Sequence, residues 1–352
     1  MRAIITPSVI SGSVTAPPSK SMAHRALISA ALAHGKSVIR NIALSEDISA
    51  TAECLSALGA DIRVDGNTAT VIGFDPMTGG DGCELNVRES GSTLRFIIPI
   101  CLLGGRECVL RGARRLFERP LGIYEDICRK YGLRFERGEN SVAVQGVLKS
   151  GCYEMSGEIS SQFVSGLMFA LPLLDGNSEI LLTGNPESKP YIDMTSEMLA
   201  GFGVTACYDG CRKVEISARQ KYVPTDITVE GDCSNAAFFE AFNYVGGNVR
   251  VIGLKPDTKQ GDAVYADYFG RLIPDNCLPL EDCPDLAPIM FAMAAEKGGC
   301  SFSGTKRLVL KESNRISAMA KELAKFGATV ESGENRVTVH ANGLHAPGAA
   351  LD

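Results

Sequence analysis

One phrase recurs along this chain and constrains its fold more than any other feature. A helical stretch ends at a glycine, a short strand follows, then a Gly/Asn turn, then a second strand. The first copy runs through Leu55–Gly59, Ala60–Val64, Asp65-Gly66-Asn67 and Thr68–Ile72. The second has Ile127–Gly132, Leu133–Arg137, Gly138-Glu139-Asn140 and Ser141–Val144. A third runs from Met198 to Gly203, through Val204–Tyr208 and Asp209-Gly210 to Lys213–Ile216, and a fourth has Ala318–Gly327, Ala328–Glu331, Ser332–Asn335 and Arg336–His340. A glycine just past a helix tolerates the left-handed backbone that closes it, and the turns between alternating strands have hairpin chemistry. Leu55 and Leu58, like Leu323 and Phe326, share a helical face and should pack on a sheet. Copies about 60 to 70 residues apart are too widely spaced for a small-repeat solenoid. The pattern predicts a duplicated β/α module, an α+β (α/β) protein with helices inside and sheets outside. A possible fifth copy at Tyr265–Gly270 is atypical, because Arg271–Leu280 is short and interrupted by proline.

A length of 352 residues favours two domains. Gln220–Asp232 reads as a connector into a new helix near Ser234, and Pro17-Pro18 as a second crossing. The first domain is therefore expected at residues 19–229, and the second at 1–18 plus 230–352.

The 12 cysteines form no CxxC pair and there are only 4 histidines, a pattern of buried, reduced thiols rather than a zinc site. A net charge of −6 argues against a general nucleic-acid surface. No apolar run reaches the length of a membrane span and no secretory signal opens the chain, so the expected address is the cytoplasm.

Three places set hydroxyl or glycine residues at a helix start beside a cation or amide. In Pro18-Ser19-Lys20-Ser21-Met22-Ala23-His24-Arg25, Ser21 can cap the helix or bond an anion, Arg25 follows one turn later, and Lys20 adds a mobile charge. Glu89-Ser90-Gly91-Ser92-Thr93-Leu94-Arg95 uses Gly91 to let an anion approach the backbone, and Ser160-Ser161-Gln162 opens Phe163–Leu174. Each reads equally as an ordinary helix cap. Lys311-Glu312-Ser313-Asn314-Arg315 places two cations four apart. Asp285 is either an N-cap for Ile289–Ala295 or a general base.

The motifs PPSKSxxxR at Pro17–Arg25, ESGSTLR at Glu89–Arg95, ERPLG at Glu118–Gly122, SGxxSSQ at Ser156–Gln162 and SKPYID at Ser188–Asp193 resemble the signatures of the EPSP synthases. So do EGD at Glu230–Asp232, PDL at Pro284–Leu286 and KESxR at Lys311–Arg315. The resemblance spans nearly the whole chain. It implies two domains facing each other across a cleft, as an inside-out α/β barrel of repeated βαβαββ modules, and a reaction moving the enolpyruvyl group of phosphoenolpyruvate to the 5-hydroxyl of shikimate 3-phosphate. It implies that Lys20, Ser21, Arg25, Ser160, Ser161, Gln162, Ser188, Asp285 and Lys311 bind shikimate 3-phosphate, and that Lys20, Gly91, Arg119, Gln162 and Arg315 bind phosphoenolpyruvate. Asp285, Glu312 and Lys20 are the implied catalytic set, no metal or organic cofactor is implied, and a monomer is the implied state.

Three departures accompany the resemblance. KESNR has Asn314 where the family has aspartate, Arg271–Leu280 is shortened, and the family's Asp-His-Arg helix and later lysine are not found. The second domain is accordingly expected to be incomplete, and the chain to be weak or a binding-only form. A sister enzyme acting on a UDP-sugar shares the fold but lacks the SKSxxxR motif, and usually carries a reactive loop cysteine, for which Cys108 and Cys128 are the nearest candidates.

Overall fold

The computed structural model describes residues 4–6, 8–311 and 313–351. It divides into two compact units, Pro18–Glu230 and Met1–Pro17 with Gly231–Asp352. After β1 (Ser11–Thr15), which belongs to the second unit, the first unit opens with α1 (Lys20–Leu32), β2 (Lys36–Arg40), α2 (Glu46–Leu58), β3 (Asp61–Asp65) and β4 (Thr68–Ile72). Next come β5 (Cys83–Arg88), α3 (Gly91–Cys101), β6 (Cys108–Gly112), α4 (Arg114–Glu118), α5 (Gly122–Tyr131), β7 (Arg134–Arg137) and β8 (Ser141–Gln145). It ends with β9 (Cys152–Ser156), α6 (Ser161–Ala170), β10 (Ser178–Thr183), α7 (Lys189–Gly201), β11 (Ala206–Tyr208), β12 (Lys213–Ile216) and β13 (Ile227–Thr228).

Three four-stranded sheets repeat one wiring, in the orders β13-β2-β4-β3, β5-β6-β8-β7 and β9-β10-β12-β11. In each the first pair is parallel and the other two antiparallel. The parallel pair needs a helix to cross over, whereas the antiparallel pair closes on a tight turn. Gly132, at φ 68°, ends α5 in the left-handed region before β7. The third hairpin starts at Ala206 rather than Val204, which is buried in the turn after α7.

Strands such as β4 and β8 alternate buried and less buried residues, so one face of each sheet is covered. Helices α1, α3 and α6 are buried on nearly every side, with Ala26, Ile28, Ile97, Phe163 and Phe169 all at 0% exposure. A helix apolar all round belongs in an interior. The mixed α/β class expected from the repeats describes this unit.

Inside α3, Pro99 has no N–H to offer the carbonyl of Arg95 four residues earlier. Tyr124 fills that role, its hydroxyl donating to Arg95 O at 2.6 Å. Gly166 of α6 makes room, since a Cβ there would lie 2.4 Å from both of those oxygens.

The second unit pairs β1 in parallel with β14 (Asn248–Ile252), and contains α8 (Cys233–Glu240) and α9 (Tyr265–Gly270). The same four-stranded wiring returns in the order β15-β16-β18-β17, built from β15 (Cys277–Pro279), α10 (Ala287–Glu296), β16 (Gly299–Ser303), α11 (Arg315–Ala324), β17 (Thr329–Ser332) and β18 (Arg336–His340). The atypical Arg271–Leu280 stretch thus holds a strand after all: β15 pairs in parallel with β16 and opens the next sheet. The unit's core gathers Ala16 with residues from Cys233 to Val339. Among the described residues, no helix is long and apolar enough to cross a membrane.

Candidate active site

In the first unit the helix starts are tied to one another. Ser19, not Ser21, is the N-cap of α1, its Oγ accepting from Met22 N. Lys20 Nζ reaches Asp47 Oδ2 in the first turn of α2 at 2.7 Å. Asp47 O accepts from Thr93 Oγ1 in the first turn of α3 at 3.3 Å, and Thr93 N donates to the N-cap Ser90. Ser92 Oγ accepts from Gln162 Nε2 at the start of α6, at 2.9 Å. Ser160 caps α6, its Oγ accepting from Gln162 N.

Arg25 closes the circuit to α7. Its Nε donates to Thr195 Oγ1 at 2.8 Å, its Nη1 to Ser21 O at 2.8 Å, and its Nη2 to Tyr191 O at 2.9 Å and Ser165 Oγ at 3.3 Å. The guanidinium sits 5.3 Å from the Phe96 ring centroid. Five helices therefore begin at one end of this unit, where their free N–H groups and positive dipole ends add. That end favours phosphate or carboxylate.

The structure brings Gly91, Arg119 and Gln162 together. A Cβ on Gly91 would lie 2.8 Å from Arg119 Nη1 and 2.9 Å from Arg95 Nη1, so the glycine keeps a gap before two guanidinium groups. Arg95 belongs to the ESGSTLR motif, but nothing in that pattern singles it out. Its Nη1 donates to Gln162 Oε1 at 3.1 Å and to Gly91 O at 3.3 Å, and it stacks 5.2 Å from the Phe163 centroid. Lys20 and Ser21 stand at the start of α1, Ser160 and Ser161 at the start of α6, and Ser188 immediately before α7 at φ 58°. Arg25 is 2% exposed, so its present partners are the protein's own.

His24 lies behind this end, 1% exposed, with Nδ1 2.8 Å from Thr51 Oγ1, which is itself 2.7 Å from Thr93 Oγ1. Burial, then Lys20 and Arg25, lower its pKa to about 3, so the ring is neutral. A cavity of about 450 Å³ in the same unit is lined by residues including Tyr131, Tyr153, Met155 and Phe163, and by none of the expected site residues.

The second unit carries a separate ionic cluster. Asp285 sits on the 3-10 turn Pro284–Leu286, with Oδ1 2.6 Å from Arg315 Nη1 and 3.5 Å from Lys311 Nζ. It does not cap α10, whose N-cap position is Leu286 without a side-chain bond. The cap reading of Asp285 is thereby replaced by an ion cluster. Arg315 also donates to Pro284 O at 3.0 Å, fixing the turn that carries the carboxylate. Asn314 caps α11, accepting from Ser317 N at 3.1 Å, which is the work an aspartate would do there. Glu312 lies outside the described residues.

Asp232 caps α8 through Asn235 N, and Gln260 accepts from Cys233 N while donating to Gly231 O. Asp262, 6% exposed, was not among the expected residues. Burial first, then the charges of Asp285 and Asp232, push its acid well above the usual carboxylate range, against the pull of Lys311 and Arg315. Among the described residues, no group of three His, Cys, Asp or Glu side chains is placed to hold a metal ion.

The family model described as EPSP synthase (3-phosphoshikimate 1-carboxyvinyltransferase) matches residues 4–274 and 274–352. The 3-phosphoshikimate 1-carboxyvinyltransferase of Clostridium kluyveri is 38% identical over 96% of this chain and 83% of its own length. That of Clostridium perfringens is 38% identical over 94% and 83%. The solved EPSP synthase of Acinetobacter baumannii superposes with a TM-score of 0.75 at 21% identity, covering 95% of this chain and 82% of that one, a likeness of fold.

Proposed function

Since the chain belongs to the EPSP synthase family, we infer that it moves the enolpyruvyl group of phosphoenolpyruvate to the 5-hydroxyl of shikimate 3-phosphate, releasing phosphate. It is a transferase of the shikimate pathway, which leads to the aromatic amino acids. The observation that carries the site assignment is the set of five helix starts tied end to end in the first unit. Both substrates carry a phosphate and a carboxylate. Like charges about 5 Å apart repel by about 3 kcal/mol per pair at an effective dielectric near 20. Helix ends, Lys20 and the arginines offset that repulsion before the two molecules react.

In this reading Lys20, Ser21, Ser160, Ser161, Gln162 and Ser188 hold shikimate 3-phosphate, and Arg25 fixes the helix ends on which they stand. Gly91, Arg119 and Gln162, with Arg95 behind them, hold phosphoenolpyruvate. In the second unit, Asp285, Lys311 and Arg315 are the remaining candidates of this reading. Asp285 takes the proton of the 5-hydroxyl as its oxygen bonds to C2 of phosphoenolpyruvate, and the methylene carbon gains a proton from Lys20 or Glu312. The methyl group of that tetrahedral intermediate then loses a proton as the C2–O bond to phosphate breaks. The two anions on Lys311 and Arg315 compete: substrate binding draws the cations from Asp285 and leaves a stronger base. The reading takes the acting species as a cytoplasmic monomer, and the three-fold wiring of the first unit as a closed barrel of modules.

The test is Asp285→Asn in a phosphate-release assay. Turnover should fall by about 10²–10⁴, the usual share of a positioned base, while calorimetry still shows shikimate 3-phosphate binding. Wild-type-like turnover in that variant would remove Asp285 from the role. Offering a UDP-sugar acceptor in place of shikimate 3-phosphate should give no phosphate, and shikimate 3-phosphate binding without any wild-type turnover would mark a binding-only protein.

A further inference from the structure

Asp262 is a buried acid of the second unit. It lies in the 3-10 turn Gly261–Val264, and its Oδ1 is enclosed and makes no hydrogen bond among the described residues. An ionised carboxylate in that position would leave this oxygen with neither water nor a donor to stabilise it. The elements packed on this turn are α8, α9 and the turn Pro284–Leu286. Helix α8 brings its cap Asp232 with Cys233 and Glu240, and the turn brings Asp285 with the neighbouring Cys283; Lys311 and Arg315 pair with Asp285. Helix α9 carries Tyr265, Asp267 and Tyr268, of which Asp267 is paired with Arg271 and Tyr268 donates to Pro279 O.

We propose that Asp262 is a positioning residue held in its neutral acid form, and that its lack of charge is what leaves Lys311 and Arg315 able to hold an anion beside Asp285. Among the described groups acting on Asp262, Asp232 and Asp285 are acids and Lys311 and Arg315 are cations; a proton lost from Asp262 adds one negative charge to this set and weakens its hold on a phosphate or carboxylate. Part of this inference rests on the enolpyruvyl transfer reading, but the charge state of Asp262 does not, and the experiments separate the two.

The first measurement is urea unfolding of the whole chain against pH, wild type beside Asp262→Asn. A buried acid with a raised folded value binds more protons folded than unfolded, so the stability it contributes is present at low pH and declines as pH rises from about 4 through that folded value. The Asn variant, which cannot ionise, should be the more stable of the two, by a gap that widens with pH. The second is carbon-13 NMR of labelled aspartate, in which one carboxyl should remain protonated at pH 7 and vanish in the variant. The third is KM for phosphoenolpyruvate against pH. It should climb toward alkaline pH in the wild type, on the order of tenfold for one charge released near a bound anion, with kcat moving less, and that part of the climb should be missing in the variant. A gap that does not depend on pH, a wild type more stable than the variant at neutral pH, or superimposing KM profiles overturns the proposal. If neither protein turns over, the transfer reading fails while unfolding and NMR still decide the charge on Asp262.

Discussion

His24 occupies a site that admits only the neutral ring: it is 1% exposed, bonded to Thr51, and flanked by Lys20 and Arg25. Its pKa is lowered from 6.5 to about 3, so the unfolded chain binds the proton more readily than the folded one across that interval. The stability linked to His24 is fully present above pH 6.5 and is lost as pH falls toward 3. Each pH unit inside that window costs about 1.4 kcal/mol at most. His24→Gln keeps a polar side chain but no titration, and should flatten the acid side of the urea midpoint curve between pH 6.5 and 4.5. An unaltered acid slope would place the responsible group elsewhere. The sequence showed that Arg25 lies one turn from Ser21, but its other partners come from far along the chain: Ser165, Tyr191 and Thr195. Asp262 was hidden for the same reason, because a Gly-Asp turn looks solvated until Asp232 and Asp285 are brought beside it. The cysteines divide: Cys54, Cys101, Cys108, Cys128, Cys233, Cys283 and Cys300 are buried as expected, Cys83 and Cys152 are partly buried, and Cys207, Cys211 and Cys277 are exposed.

At the scale of the element, α3 shows what a helix must give up to present its N-terminus closely. Pro99 removes one internal hydrogen bond, Tyr124 replaces it from α5, and Gly166 lets α6 come near enough for both. The sequence announced the capping serine and the glycine of this helix, through Ser90 and Gly91, but a tyrosine serving a proline-freed carbonyl leaves no local pattern. Gly91→Ala tests the front of the same helix. The added methyl meets side-chain tips rather than backbone: it displaces the end of Arg119 and strains Arg95 against its bonds to Gln162 and Gly91 O. Folding should survive, with Tm changed little, while KM for phosphoenolpyruvate rises by about tenfold, roughly the worth of one charge-assisted hydrogen bond. An Ala variant with the parent KM would show that neither guanidinium serves the anion. The hairpins were the most legible elements, because glycine-closed helices followed by turn residues between alternating strands have few other solutions. β15 was the least legible: three residues ending in proline, its pairing is supplied wholly by β16.

For the whole molecule, the two cores draw on separate stretches of chain. All fully buried members of the larger core lie between Met22 and Val229, and the smaller one takes Ala16 from before the first unit and the rest from after it. Residues 18–230 expressed alone should therefore fold cooperatively, giving a sharp urea transition by circular dichroism. Residues 231–352 alone lose Ala16 and leave β14 without β1 along its length, so they should unfold more readily, and regain stability when a peptide of residues 1–17 is added. A fragment 18–230 without a cooperative transition, or a fragment 231–352 indifferent to the peptide, would contradict this account.

The strand β13 pairs Ile227 with Ile39 and Thr228 with Arg40. Chain emerging from a ribosome meets that partner only after nearly all of the first unit has been made. Two modules can mature in order as they appear, but the earliest one must wait, its outer strand β2 open along one side, for the last residues of the unit. An organism that slows translation shortly before Ile227 would lengthen the interval in which that open edge can pair with a neighbouring nascent chain.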